Sequence, residues 1–331
     1  SALAAGWTIW EQKYHSGAIG PEWSQSFPER VAIAGRVVWF YLGKLGWPEP
    51  LIFIYPRWSI AATQPLAYVG TVALIAALAL LWLGRARPAV APVLLAAAYF
   101  VALLFPVLGF FSVYFFRYSF VGDHFQYLAS IGPLALAGVA LARVLPRAAP
   151  FAGAAVLLAL GAVSSRQGLV YRSNEALWRD TIARNPAALM AWLNLGDTLA
   201  QAGRREEALL FYQHALKIRP DDTPALNDLG NLLVLLDRPA EALPHFERAL
   251  ALKPAFVDAV CNYGNALRAV GRGEEAFALF RRAVELDPAN VDAVYRLGAL
   301  AYEFGEMEEA VARLARVATA KPGHEEVDRL L

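Results

Sequence analysis

Arg117, Asp123 and His124 fall within eight residues of one another, in the run Phe115-Phe116-Arg117-Tyr118-Ser119-Phe120-Val121-Gly122-Asp123-His124-Phe125-Gln126-Tyr127, directly ahead of an apolar segment. A guanidinium grips a phosphate through two parallel N–H bonds and an imidazole can donate a third, so this set could hold a lipid phosphate at a membrane surface. The same residues also fit an aromatic belt at the membrane interface, with Arg117 and Asp123 joined as a structural ion pair. A second stretch, Phe53-Ile54-Tyr55-Pro56-Arg57-Trp58, again sets an arginine among aromatic residues. Rings beside a cation suit a lipid-linked sugar, and they equally suit anchoring in headgroups.

Polar side chains recur in a second pattern. Asn194, Asp228 and Asn262 are 34 residues apart, and Asp197, Asn231 and Asn265 follow each of them by three, which on a helix is the same face. An amide can both donate and accept, so a row of them would bind an extended polypeptide backbone with little regard to its sequence. Bonds to neighbouring turns of the same chain are the alternative use. The next positions in the series are Arg296 and Ala299, where such a groove would end. Motifs of soluble enzymes are missing: there is no HExxH, GxxxxGK[ST], paired CxxC or GxSxG. The single cysteine, Cys261, rules out an intrachain disulfide or a cysteine-based metal site and reads as a small core or groove residue. The chain itself is expected to hold no metal or cofactor.

The elements that carry the second pattern are repeats. Pro186, Pro220, Pro254, Pro288 and Pro322 are spaced by 34, as are Gly196, Gly230, Gly264 and Gly298, and Ala208, Ala242, Ala276 and Ala310. Three registers with one period describe a tetratricopeptide array. Each unit pairs two helices, with the small residues where the helices cross and the proline ending the second. Units span about 189–222, 223–256, 257–290 and 291–324, after a half unit at about 168–188. Stacked units form a superhelix whose inner wall, made by the first helices, can receive a peptide or partner protein.

The first half is of another kind. Hydrophobic residues make up 57% of the chain, and the excess over ordinary soluble domains lies before residue 166. Apolar runs at Pro65–Gly84, Ala89–Phe105, Tyr127–Leu141 and Pro150–Ser165 predict membrane spans. Val31–Trp47 carries Arg36 and Lys44, and fits either a span or a helix lying in the interface with its basic ends at headgroups. The predicted architecture is therefore all-α: a polytopic transmembrane bundle over residues 1–165, then a tetratricopeptide solenoid over 166–331. Ser1–Trp10 reads as the tail of a further span from a longer protein.

Charge sets the expected orientation. Arg85 and Arg87 lie in one loop and Arg143 and Arg147 in another, which places both on the cytoplasmic side, although Arg166 and Arg172 pull mildly the other way. The loops near 48–64 and 106–125, and the repeats, then lie outside: the periplasm if the membrane is a bacterial inner membrane. Residues 1–165 hold 10 basic and 5 acidic residues and the remainder 20 and 24, so neither half offers a nucleic-acid surface.

A polytopic body with the outward stretch Phe53-Ile54-Tyr55-Pro56, then YSFVGDHFQYLAS from Tyr118 to Ser130, then Glu175-Ala176-Leu177-Trp178-Arg179-Asp180-Thr181 leading into repeats, resembles bacterial relatives of the transmembrane and tetratricopeptide-containing O-mannosyltransferases. The resemblance spans nearly the whole chain. It implies a GT-C type glycosyltransferase using a polyprenyl-phosphate sugar as donor and a protein acceptor, with its catalytic acid in an outward loop upstream of this chain. In that family's outward loop an acidic residue, an arginine and a tyrosine precede a span; Asp123 and Tyr127 match, while His124 stands in place of the arginine and would hold phosphate in a pH-dependent way. Two functions remain open: part of a sugar transferase whose array binds the acceptor, inactive in isolation, or a non-catalytic membrane scaffold that recruits envelope proteins.

Overall fold

A computed structural model describes residues 25–110, 116, 118–321, 327 and 329. Ser1–Trp10, Arg117 and Pro322 lie outside them. Among the described residues regular structure is helical throughout, and the chain divides into two compact units, Ser1–Ala188 and Leu189–Leu331.

The first unit contains α1 (Phe27–Gly46), α2 (Val69–Leu83), α3 (Ala91–Leu104), α4 (Ile131–Val144), α5 (Ala149–Gly168) and α6 (Asn174–Arg184). Helix α1 opens on a capping box, in which the Glu29 carboxylate accepts from the Ser26 amide at 2.7 Å, and Pro28 occupies the first turn, where no amide partner is lost. One face of α1 is buried: Ile33, Val37, Val38 and Tyr41 join Ile52, Tyr55, Phe100, Leu104, Phe116 and Phe120 in one apolar cluster. The helix meets the start of α2 through glycines. A Cβ on Gly35 would stand 2.3 Å from the Thr71 backbone nitrogen, and the Thr71 hydroxyl donates to the Val31 carbonyl at 2.7 Å. Such an approach leaves room for no side chain at Gly35.

The remaining apolar helices bury little. No residue of α2, α4 or α5 is buried, whereas α3 buries Ala96, Phe100 and Leu104. Pro65–Leu83, a 3₁₀ turn continued by α2, and α5 are long and apolar enough to cross a membrane, with mean hydropathies of 2.3 and 1.4; Ala91–Val107 and α4 are apolar but shorter. The segment from Tyr127, expected to start a span, first makes a turn stitched by the Ser130 hydroxyl on the Gln126 carbonyl at 2.7 Å, and the helix begins at Ile131.

Among its described residues the second unit contains four helix pairs: α7 (Leu189–Gln201) with α8 (Arg205–Ile218), α9 (Thr223–Leu235) with α10 (Pro239–Leu252), α11 (Val257–Ala269) with α12 (Gly273–Leu286), and α13 (Val291–Glu303) with α14 (Met307–Ala320). Their crossing follows the predicted registers. A Cβ on Gly196, Gly230 or Gly264 would meet the ring of Tyr212, Phe246 or Phe280 at 3.0, 2.7 and 2.7 Å, and Ala208, Ala242, Ala276 and Ala310 are fully buried. The residue before each repeat proline leaves helical geometry, at φ −137° for Arg219, −135° for Lys253 and −138° for Asp287, because the proline ring excludes helix from the position ahead of it. Inside each pair the turn needs a left-handed residue, supplied by Gly203, Asp237, Gly271 and Gly305. The following amide then bonds five residues back, as Arg238 N–H does to the Leu233 carbonyl at 2.9 Å, closing the helix end.

Candidate functional sites

Two arrangements merit description, one in each unit. In the first, Tyr41 fixes the loop that carries Asp123: its hydroxyl donates to the Gly122 carbonyl at 3.0 Å and accepts from the Gly122 amide at 2.9 Å. That anchor brings the Asp123 carboxylate to the Tyr55 hydroxyl, which donates to it at 2.8 Å. Lys44 stands over the Tyr55 ring at 5.3 Å and bonds the Pro50 carbonyl. Burial pushes the Asp123 carboxyl above its usual range, opposed by the Tyr55 bond and the charges of Lys44 and His124. The Tyr55 phenol is raised well beyond its ordinary value, first by burial and then by Asp123. The pair therefore keeps its hydroxyl proton on tyrosine and presents a poorly solvated carboxylate. Such a group favours a proton or a cation over a phosphate.

The residues expected to share a phosphate are distributed differently. Arg57 packs over the Phe120 ring at 5.0 Å and lines a recess of about 350 Å³ with Glu29, Trp58 and Ser59. The exposed His124 ring rests on Phe125, centroids 4.1 Å apart, and Tyr127 is exposed on the turn before α4. Arg36 and Lys44, expected at headgroups, are engaged within the unit, Arg36 over Trp58 at 4.5 Å. Tyr55 as partner of Asp123 was not legible from spacing, since the two are 68 residues apart. The signal available was a basic residue and a tyrosine near the end of one helix, at Lys44 and Tyr41. Among the described residues no group of three or more His, Cys, Asp or Glu could hold a metal ion.

In the second unit the polar row lies on the first helices, where the register puts it, and much of it is bonded within the array. Asn194 donates to the Met190 carbonyl of its own helix at 2.7 Å, and Asp197 accepts from the Tyr212 hydroxyl. Asn262 donates to Asn227 at 3.0 Å, and Asn227 donates to Asp228 at 3.1 Å, a relay that crosses from α11 to α9. Asn227 is buried and absent from the sequence pattern, yet it is the hinge of that relay. Arg296 reaches back to the Asn265 oxygen at 2.6 Å while also holding Asp292 at 2.7 Å, so the residue that interrupts the row closes its end. Burial, then the neighbouring carboxylates Asp197, Asp222 and Asp258, lift Asp228 to about 6 against the opposing Asn227 bond. Asn231 is exposed. The internal-bonding alternative thus accounts for several of these groups, and the hydrogens and lone pairs left over define what the face can offer.

Residues 166–223 and 227–291 match one tetratricopeptide repeat family, and residues 267–331 match another. Solved structures with similar folds include YrrB, described as a tetratricopeptide protein with an unusual peptide-binding site (25% identity, 51% of this chain and 86% of that one, TM-score 0.42). PilW, described as a widely conserved type IV pilus biogenesis factor, aligns at 25% identity over 48% of this chain and 73% of its own, with a TM-score of 0.43. MamA from Desulfovibrio magneticus RS-1 aligns at 23% identity over 51% and 94%, with a TM-score of 0.42. Among curated proteins none matches. The second half of the chain is a tetratricopeptide repeat domain, a class of helical solenoid that binds peptides or proteins.

Proposed function

We propose that the chain is a membrane-anchored tetratricopeptide protein whose array holds an extended polypeptide outside the cytoplasm, in the periplasm of a bacterial cell. The observation that carries the binding part is the row on the first helices, with Asn231 exposed and Asn194, Asn262 and Asn265 half-buried, each with amide capacity beyond its internal bond. Anchoring is supported by α2 and α5, which are apolar and bury no residue; the side of the membrane rests on the loop arginines. The test is binding of unstructured polypeptides to the full chain in detergent micelles, followed by fluorescence anisotropy. Replacing Asn231 and Asn265 together by alanine should weaken binding about tenfold, the loss of two neutral hydrogen bonds. Unchanged affinity would remove this face from the account.

A second reading places a polyprenyl-phosphate sugar beside the first unit, with the array presenting a protein acceptor. It is favoured by the Arg57 guanidinium set against Phe120 at the edge of a recess walled by Trp58, a cation with aromatic walls as a phosphorylated sugar lipid requires. On this reading the membrane lipid is substrate as well as solvent. Retention of a polyprenyl-phosphate hexose by the micelle-embedded chain, measured by mass spectrometry, should fall on Arg57→Ala. Equal retention by the two proteins argues for the scaffold without chemistry.

A further inference from the structure

The α2–α3 hairpin carries an open groove of about 890 Å³ that is apolar along its walls and charged at one place. Leu78, Ala79 and Trp82 of α2 and Leu94 and Ala98 of α3 line it. Residues spaced by three and four on each helix make one continuous wall. The single charged group lining it is Arg85, beside the loop that joins the two helices. Its guanidinium is held over the Trp82 ring at 4.5 Å and donates one N–H to the Trp82 carbonyl at 2.8 Å. A guanidinium has five N–H donors, so this posture leaves donors for another anion. Charge cannot be balanced locally in sequence: between Glu49 and Asp123 the chain contains no Asp or Glu, while Arg87 adds a second cation two residues on.

We propose that this groove binds one anionic phospholipid, with an acyl chain along the α2–α3 walls and its phosphate on Arg85. Charge complementarity selects the occupant. An alkyl chain satisfies walls of Leu, Trp and Ala, and the phosphodiester supplies the acceptor that the hairpin's own sequence lacks, in the two-pronged geometry that arginine favours. The volume falls within the roughly 300–1,000 Å³ of small-molecule sites. An indole beside the arginine suits the headgroup level, where both groups have one apolar and one wet side. Placement of the Arg85–Arg87 loop on the cytoplasmic side, the leaflet in which anionic headgroups attract basic residues, is consistent with the same ligand. The inference rests on the membrane-anchored reading and adds to it a site and a lipid class.

The full chain, stripped of lipid in detergent, is returned to vesicles of phosphatidylcholine containing a minority of phosphatidylglycerol; flotation and native mass spectrometry of the released protein are then read in parallel. Wild type should float and retain phosphatidylglycerol in preference to phosphatidylcholine. Arg85→Gln should float equally and lose that preference about tenfold, as one charge-assisted contact is removed. Ala98→Trp, which fills the groove, should float and retain less of both lipids. Preference that survives Arg85→Gln, or cross-linking of a cysteine placed at Ala79 to residues 1–24 of the same chain in vesicles, would overturn the site while leaving anchoring intact. Failure of the wild type to float overturns the anchored reading itself.

Discussion

Helices in the two halves solve opposite problems with their apolar residues. In the array, α10 hides Phe246 and Ala249 completely, and the glycine of its partner helix, Gly230, admits the Phe246 ring at a distance no Cβ could share. In the first unit, α5 leaves Leu157 and Leu158 exposed at 71% and 76%, and among the described residues nothing beyond the local helix lies within 4 Å of a Cβ on Gly153 or Gly161. Burial against other helices is thus the source of order in the array, where apolar area removed from water contributes about 25 cal/mol per Å². Helices such as α5 bury no residue fully and gain little of that kind from their own unit. A surrounding that is itself apolar would account for their apolar surface, which is the physical content of the proposed anchoring.

Matched substitutions sharpen this contrast. The largest effect is expected at Phe246→Ala, which leaves a cavity in a fully buried site and should destabilise the array by about 3–5 kcal/mol in thermal or denaturant unfolding. Leu158→Ala in α5 should leave that unfolding unchanged. Next, Gly230→Ala should cost about 1–3 kcal/mol by pressing on the Phe246 ring, whereas Gly153→Ala should cost nothing measurable. Equal costs at the two glycines would erase the distinction between a packed and an unpacked helix face.

Smaller effects test the electrostatics of the array. Asp228 has an ordinary value of 3.8 and is raised to about 6 in the folded state, so between those values the folded chain binds the extra proton. Its contribution is therefore present at low pH and lost as pH rises through about 6. Array stability should fall by up to about 3 kcal/mol across that window, and Asp228→Asn should flatten the profile. A melting series from pH 4 to 7 reads both slopes; parallel slopes would show that burial of Asp228 carries no penalty. The smallest expected change is at Asp237, whose φ of 59° makes it, among the described residues, the one left-handed turn in the array not given to glycine. Asp237→Gly should stabilise by about 0.5–1 kcal/mol.

What could be read from the chain alone divides along the same line as the structure. The 34-residue registers declared the helix pairs, the crossing glycines and the proline-terminated second helices, because each depends on neighbours at a fixed sequence offset. Apolar runs likewise placed α2 and α5. Contacts between distant segments were not legible: neither the Gly35 approach to Thr71 nor the Tyr55–Asp123 bond follows from a period. In the polar row, residue type announced hydrogen-bonding capacity but not its use. Asn194 spends a hydrogen on its own helix, Asn262 on Asn227, and Asn265 receives Arg296. Arg57 and Asp123 looked alike as members of a phosphate set, and they differ because one covers a ring at a recess while the other is held by a phenol.

The central claim is that the outward apolar helices of the first unit are held in a membrane while the array stays in water. Its most direct measurement is hydrogen exchange of the full chain in lipid vesicles compared with detergent-free dilution into buffer. The account predicts that α2 and α5 are protected in vesicles to a degree their lack of burial within the unit cannot supply, and that the chain aggregates without lipid or detergent. Exchange in α2 and α5 that is fast in vesicles, with the chain monodisperse in buffer, would contradict it.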